Sequence, residues 1–444
     1  MKMMSGPVLL TTAAAALCMF RPIATQAFTR GTALIRLASI NTAKPGLRNQ
    51  QRFVGGYASQ IPVSFATKTL LRSITTSDDV SVVDNNVSRI STLQALLSKH
   101  GAPGSSGCAK PNGDLIAVQS AQETPELVSS IGGGWDPELC NLHPYLYPIA
   151  KSQSTDHYIC AYRNPFQDAD NKQDHRPWPI VETTLNGPGM ELLALNSEHM
   201  MRRIVSQCDF DPEHKDSDDT IRLYNEGLGK GLLADAALDT PYEAGSVEKL
   251  GYGVDKYVLL RVGPFPDLYG RMSQQHADKG DEQSSLIACE AANNKLAGFG
   301  STFRFYAQTL SKFPGREEEA RDAARMCLRL PLPTIGLSYD DFKEVAVLGQ
   351  IAEESDSTDV ALQKLKDLYE KMREAESEQE SDPFNQQGRT PEEAAIEEAN
   401  HVLNMAVLEG NTEWSKLRPE LAKRFREIGR DDMATFVDIA AVLQ

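Results

Sequence analysis

The 444-residue sequence is poor in aromatic residues, which make up 7% of it, and it has fewer basic than acidic residues, 45 against 61. After the N-terminal region it also lacks any run of the roughly 20 apolar residues that a helix needs to span a bilayer. A net charge of −16 is repelled by the phosphates of nucleic acids. These deficits argue against an integral membrane protein and a general nucleic-acid binder, and they favour a globular protein with more than one core.

The motifs of metal, nucleotide and catalytic sites are also missing. The seven cysteines contain no Cys-x-x-Cys pair, and the eight histidines contain no pair at the i,i+4 spacing of a helical metal site. The glycine-rich segment 227–231 lacks the spacing of a P-loop, and the acidic loops 168–172 and 209–213 lack the glycine and glutamate of calcium loops. No Gly-x-Ser-x-Gly nucleophile motif occurs. We therefore expect no catalytic residues, no cofactor and no metal.

Acidic residues are absent before Asp78, whereas nine of the lysines and arginines lie there. Val8–Phe20 is apolar, and Ala24–Ala27 has the small residues of a signal-peptidase site. We interpret residues 1–77 as a targeting presequence, with a signal peptide at about 1–27 and a transit-like stretch at 28–77. Such a bipartite presequence looks like those of algae whose plastid lies inside extra membranes. A single mitochondrial presequence that ends near Arg52 is the alternative.

A change of pattern divides the first part of the mature chain. Residues 78–112 are polar and are expected to form a linker, with a short helix at Ser91–Leu97. Three β-rich runs and then a helical period over Met190–Cys208 predict a small α+β domain at 113–210. The β-rich runs are Tyr145–Ala150, Tyr158–Arg163 and Trp178–Thr184. An acidic hinge is expected at 209–219.

Two units repeat at an offset of 35 residues in the helical region that follows. Gly280 aligns with Gly315, where a tight turn between helices favours glycine. The aligned small residues that allow close helix packing are Ser285 and Ala320, Cys289 and Ala324, and Ala292 and Cys327. The offset is close to the tetratricopeptide period and predicts a helical-repeat domain at 220–355. A pair of plain helical hairpins is the alternative.

The rest of the chain is expected to be helical as well. A charged helix and an acidic linker occupy 356–389, and Thr390–Glu393 has the cap, proline and glutamate of a helix start. A C-terminal helical bundle is predicted at 390–444. The predicted fold class is therefore an α+β N-terminal domain, then an all-α, tetratricopeptide-like helical-repeat region, then a C-terminal helical bundle.

Two loops each place one phenylalanine between residues that allow unusual backbone geometry. Phe265 and Asp267 lie at the start of the first repeat, and Phe299 and Gly300 lie at the start of the second. Because aromatic residues dominate interface hot spots, these four are candidate partner-binding residues. The alternative is that each phenylalanine packs in the core of the repeats.

A series of segments between residues 140 and 350 carries a family resemblance. They are His143-Pro144 with Tyr147–Ala150, Ile159–Pro165, Trp178–Glu182, Leu193–Asn196 with Met200–Arg203, Asp255–Asp267, Gly298–Gly300, and Gly315-Arg316 with Glu319–Arg325. In order and number they resemble a plastid-targeted plant and algal family, the "in chloroplast ATPase biogenesis" proteins. Ala297–Phe303 and Leu330–Gly336 depart from that family's pattern, so a partner contact made there would be altered.

The resemblance implies a non-enzymatic assembly factor or chaperone of the chloroplast ATP synthase, located in the plastid stroma. Its partner would be a protein, namely subunits of the catalytic head, with no nucleic acid and no membrane insertion. One alternative is a helical-repeat factor for plastid RNA, although the repeated positions lack basic residues. Another is a small-molecule enzyme with its site around His143, His157 and His175.

Overall fold

The computed structural model describes residues 80–109, 114–118, 137–166, 178–211, 217–229, 238–380 and 390–438. The expected presequence, the acidic loop 168–172 and most of the acidic linker lie outside the described residues. Asp78–Gln444 form one compact unit. Across the described ranges, every helix is too short or too polar to span a bilayer.

After one N-terminal helix, the strands come first in the chain and the other helices follow. The strands are β1 (Leu115–Ala117), β2 (Leu146–Ser152), β3 (His157–Tyr162), β4 (Ile180–Thr184) and β5 (Met190–Ala194). The first helices are α1 (Val80–His100), α2 (Ser197–Phe210), α3 (Ser217–Glu226), α4 (Ser246–Leu250) and α5 (Val254–Tyr257), with a π-helical turn at Val258–Val262. The later helices are α6 (Pro266–Asp278), α7 (Glu282–Lys295), α8 (Gly300–Leu310), α9 (Glu317–Cys327), α10 (Tyr339–Leu348), α11 (Thr358–Glu380), α12 (Pro391–Leu408), α13 (Trp414–Glu427) and α14 (Asp431–Val437).

The five strands form an antiparallel sheet in chain order, so the described part of the chain has the predicted fold class, a sheet domain followed by helices. Three or more strands were expected from the β-rich runs, and β5 lies where a helical period was expected. The run Met190–Ala194 is a strand because its apolar residues pair with β4, and the helix begins only at Ser197. Asn196 caps it by accepting a hydrogen bond from the backbone nitrogen of His199 at 2.7 Å.

Helix α1 contains the short helix expected at Ser91–Leu97 and extends over most of the linker that was expected at 78–112. Ile90, Leu93 and Leu97 are buried and recur at helical spacing, which packs the helix against the sheet. Gln94 Nε2 donates to the carbonyls of Val118 and Ile149, at 3.0 Å each. The second half of α1 is therefore part of the core, because its buried apolar residues recur at helical spacing.

Two helical hairpins, α6/α7 and α8/α9, lie at the predicted offset and pack through α7 and α8. Gly280 and Gly315 occupy the turns with φ of +74° and +81°, a conformation that favours glycine. All six small residues of the aligned pairs are buried. Helices α10 and α11 pack on each other as a further layer next to α9. The geometry shows hairpins in register, and the tetratricopeptide class stays a prediction.

The C-terminal helices return to the sheet domain. Trp414 Nε1 donates to the carbonyl of Gly187 at 3.1 Å. Arg418 is completely buried and donates to the carbonyls of Cys140 and Leu142 at 2.9 and 2.7 Å. The capping box at Thr390 is confirmed. The predicted bundle therefore covers one end of the sheet and does not stand apart from it.

Candidate functional site

The predicted residues Phe265 and Asp267 lie where the first hairpin meets the sheet domain. Phe265 is fully buried, and the guanidinium carbon of Arg203, from α2, lies 4.7 Å from the centre of its ring. The two terminal nitrogens of Arg203 donate to the two carboxylate oxygens of Asp267 at 2.7 and 2.6 Å. Such a bidentate, charge-assisted pair fixes both distance and orientation. We call Arg203, Phe265 and Asp267 the first joint.

The loop before β1 also contacts the first joint. Gly104 has a φ of +88°, and a Cβ atom built there would lie 3.1 Å from the carboxylate carbon of Asp267. A side chain at this position would therefore be strained by its backbone and crowded against the ion pair. The loop, α2 and the first hairpin meet at one place.

Phe299 and Gly300 form a second joint, where the second hairpin meets strand β3. The ring of Phe299 is 4% exposed and contacts Tyr162 edge to face, with ring centres 5.9 Å apart. The backbone nitrogen of Gly300 donates to Thr334 Oγ1 at 2.9 Å, and a Cβ atom there would lie 2.9 Å from Ile335 Cγ1. Glycine is needed at this point because the helix start approaches its neighbour so closely.

The burial of both rings favours the alternative in which each phenylalanine packs in the core. Phe265 and Phe299 hold the hairpins to the sheet, and neither ring is open to a partner in this arrangement. A role for the four predicted residues in partner binding stays a prediction. Such residues would affect binding indirectly, by setting the shape of the two joints. The sequence singled out these loops because prolines flank Phe265 and glycines flank Phe299.

Of the three histidines of the enzyme alternative, the two that the structure describes have different surroundings. His143 is buried against Trp414, with ring centres 4.9 Å apart, and its burial, followed by the charge of Arg418, lowers its pKa to about 3. His157 lies elsewhere, with its Nδ1 2.6 Å from Glu182 Oε1. His175 lies outside the described residues. A neutral, buried His143 is a packing residue at neutral pH.

Glu182 is the centre of a polar cluster that the sequence did not predict. Its buried carboxylate accepts from Ser105 Oγ at 2.8 Å, from the backbone nitrogens of Ser106 and Gly107 at 2.8 Å each, and from Ser106 Oγ at 3.2 Å. Together with His157 this makes the Glu182 cluster. In a nucleophilic triad the serine donates to the imidazole and the imidazole to the carboxylate. Here the serines donate to the carboxylate directly, which suits a structural clamp on the loop.

A second buried charge network joins α1, α2 and α3. Arg89 forms an ion pair with Glu198, and both side chains are almost completely buried. Tyr224 donates its hydroxyl to Glu198 Oε2 at 3.2 Å, and its carbonyl accepts from Arg89. Burial lowers the pKa of Arg89. Each charge has a close partner of its own, so the network positions helices.

In the described ranges no three histidine, cysteine or acidic side chains are grouped as metal ligands would be.

In comparisons with known proteins, two family models match parts of the helical region. Residues 266–352 match the family model called PAB middle domain, and residues 365–441 match the one called PAB C-terminal domain. The first range takes in α6 to α10, and the second takes in most of α11 to α14.

A curated relative extends the similarity. It is "Protein IN CHLOROPLAST ATPASE BIOGENESIS, chloroplastic" of Arabidopsis thaliana, which is 31% identical over 268 residues. The alignment covers 58% of this chain and 69% of the relative. No solved structure matches the chain.

Proposed function

Because the chain belongs to the IN CHLOROPLAST ATPASE BIOGENESIS family, we propose that it acts in the biogenesis of the chloroplast ATP synthase. The family resemblance predicted from the sequence is confirmed. The observation that carries the proposal is the alignment with the relative, whose name states that process.

The finer proposal is that the protein is a non-enzymatic assembly factor that binds subunits of the catalytic head before the head is complete. Its buried polar groups support a structural reading of the sheet domain. Glu182 is held by backbone and serine donors, and Arg89 and Arg203 are held by carboxylates. The hairpins support the binding role, since stacked helices present an extended outer surface to a partner.

Affinity purification from isolated plastids tests the choice of partner. The mature chain with a C-terminal tag is recovered with and without RNase, and mass spectrometry identifies what is bound. Head subunits that stay bound after RNase are the expected result. Partners that are lost with RNase would favour the RNA-processing alternative, and recovery of neither class would contradict the proposal.

We also propose that the protein works in the plastid stroma. The relative is described as chloroplastic, and the presequence expected at residues 1–77 has the form of a plastid address. Residues 1–77 fused to a fluorescent protein are expected to enter the plastid, and Phe28→Ala in the same fusion is expected to stop it outside. Mitochondrial fluorescence from the unchanged fusion would contradict this location.

A further inference from the structure

The segment between α3 and the first hairpin exposes two large apolar side chains. Leu260 is 66% exposed and Tyr252 is 64% exposed, the highest values among the large hydrophobic side chains that the structure describes. Tyr252 precedes the short helix α5, and Leu260 lies in the π-helical turn that follows it. Isolated exposed hydrophobic residues are common, so their arrangement decides whether they form a surface.

Tyr252, Lys256 and Leu260 are spaced four residues apart, and all three are exposed. The ammonium nitrogen of Lys256 is 5.8 Å from the centre of the Tyr252 ring. Lys256 and Leu260 share one face of the helix because residues four apart are neighbours there. Tyr257, Val258 and Val262 are buried on the opposite face, so they fix the helix against the core. The Tyr252 strip consists of four exposed residues, Tyr252, Lys256, Leu260 and Arg261.

The π-helical turn holds the strip in a defined orientation. Such turns are rare and occur often at functional sites. Helix α5 and the turn are together bounded by Gly253, at a φ of +81°, and by Gly263, where a Cβ atom would lie 2.4 Å from Cε1 of the His199 ring. The close approach at Gly263 fixes the end of the turn against α2. Leu260 is thereby held on the outside of a rigid element.

The strip carries positive charge on an acidic protein. The chain has a net charge of −16, yet the exposed cations of the strip, Lys256 and Arg261, form no ion pair with any described residue. Nearby cations outside the strip are paired, since Arg271 lies 3.3 Å from Asp255 and Lys249 lies 3.6 Å from Glu243. The strip therefore combines two apolar side chains with two unpaired positive charges on an acidic protein.

We infer that the Tyr252 strip is a docking surface for an acidic, amphipathic helix of a partner protein. The apolar face of that helix would cover Tyr252 and Leu260, and its carboxylates would pair with Lys256 and Arg261. The exposed side chains of Lys256 and Leu260, four residues apart on one face, match the spacing of side chains along a partner helix. Charge complementarity favours an acidic partner and directs its approach. That the partner is an ATP synthase subunit rests on the proposed function, whereas the surface does not.

Site-specific photo-cross-linking tests the strip. Benzoylphenylalanine is placed at position 260 of the mature chain, or at position 287 as a control, since Ile287 on α7 is 55% exposed. The protein is irradiated in plastid extract, and mass spectrometry identifies the adducts and the attached peptides. The expected result is an adduct from position 260 alone, attached to an acidic amphipathic helix.

Charge reversal completes the test. The double variant Lys256→Glu/Arg261→Glu is expected to lower the yield of this adduct by about tenfold. Lys249→Glu/Lys279→Glu makes the same change of charge outside the strip and is expected to leave the yield unchanged. No adduct, an adduct with a second copy of this chain or with a basic segment, or a yield insensitive to charge reversal would each overturn the inference. An acidic helical partner from outside the ATP synthase would support the strip and count against the proposed partner.

Discussion

Replacement of Phe299 by alanine distinguishes the core role of this residue from the partner role that its loop suggested. The ring is 4% exposed and packs edge to face on Tyr162. Truncation of a buried phenylalanine to alanine costs about 3–5 kcal/mol, because apolar burial is lost and a cavity remains. The aromatic pair itself accounts for about 0.5–1.5 kcal/mol of that. We therefore expect Phe299→Ala to lower the unfolding free energy by about 3–5 kcal/mol.

Urea unfolding followed by tryptophan fluorescence measures this loss. Phe210→Ala is a matched control, because Phe210 ends α2 and is 42% exposed, so its truncation should cost clearly less. A double-mutant cycle with Tyr162→Leu should return a coupling energy of about 1 kcal/mol. If Phe299→Ala leaves the unfolding midpoint unchanged and weakens binding of head subunits, the ring is a partner anchor and does not hold the second hairpin to strand β3.

Further variants test the hairpins, the buried histidine and the Glu182 cluster. Ala324→Trp should lower the unfolding free energy by about 1–3 kcal/mol, because Ala324 is fully buried. Ala297→Trp, at an exposed position, is its control, and an unchanged urea midpoint for Ala324→Trp would contradict the hairpin register. His143 has a pKa of about 3 in the folded chain, against an ordinary pKa of 6.5. Below pH 6.5 the unfolded chain therefore takes up a proton at this residue that the folded chain does not, and the unfolding free energy falls as the pH drops. From pH 7 to pH 5 this loss is about 2 kcal/mol, and His143→Phe should remove it from the measured pH dependence; an unchanged dependence would refute the assignment. Glu182→Gln replaces one acceptor oxygen with a donor and should lower the unfolding free energy by about 1–3 kcal/mol, and a neutral effect would show that the cluster does not clamp its loop.

Local signals predicted the parts of the fold that depend on local rules. Gly280 and Gly315 were identified from spacing alone, because a tight turn between packed helices favours the positive φ that both adopt. The cap at Thr390 was predicted for the same kind of reason, since its hydrogen bonds join residues three apart in the chain. These features need no knowledge of what packs around them.

The misassigned segments depend on contacts that are distant in sequence. Met190–Ala194 is an apolar run that suits a buried strand or a buried helix, and only pairing with β4 selects the strand. Only Ser91–Leu97 of α1 was expected to be helical, and the packing of Ile90 and Leu93 on the distant sheet residues accompanies a longer helix.

The candidate site was predictable only in part, for a related reason. The loops of Phe265 and Phe299 were found, but Arg203, which holds Asp267, is 64 residues away in the chain. Glu182 and its serine donors are likewise separated by more than 70 residues. A sequence shows that these side chains are polar and does not show that they meet.

The most direct test of the proposed function is the assembly of the ATP synthase in cells that lack this protein. Newly made plastid subunits are pulse-labelled, and their entry into the complete enzyme is followed on native gels. We expect synthesis and transcripts of the subunits to stay normal while labelled head subunits enter the complete enzyme more slowly, and the unmutated gene should restore the rate. A normal rate of assembly without the protein, or a primary loss of one subunit transcript, would contradict the proposed function.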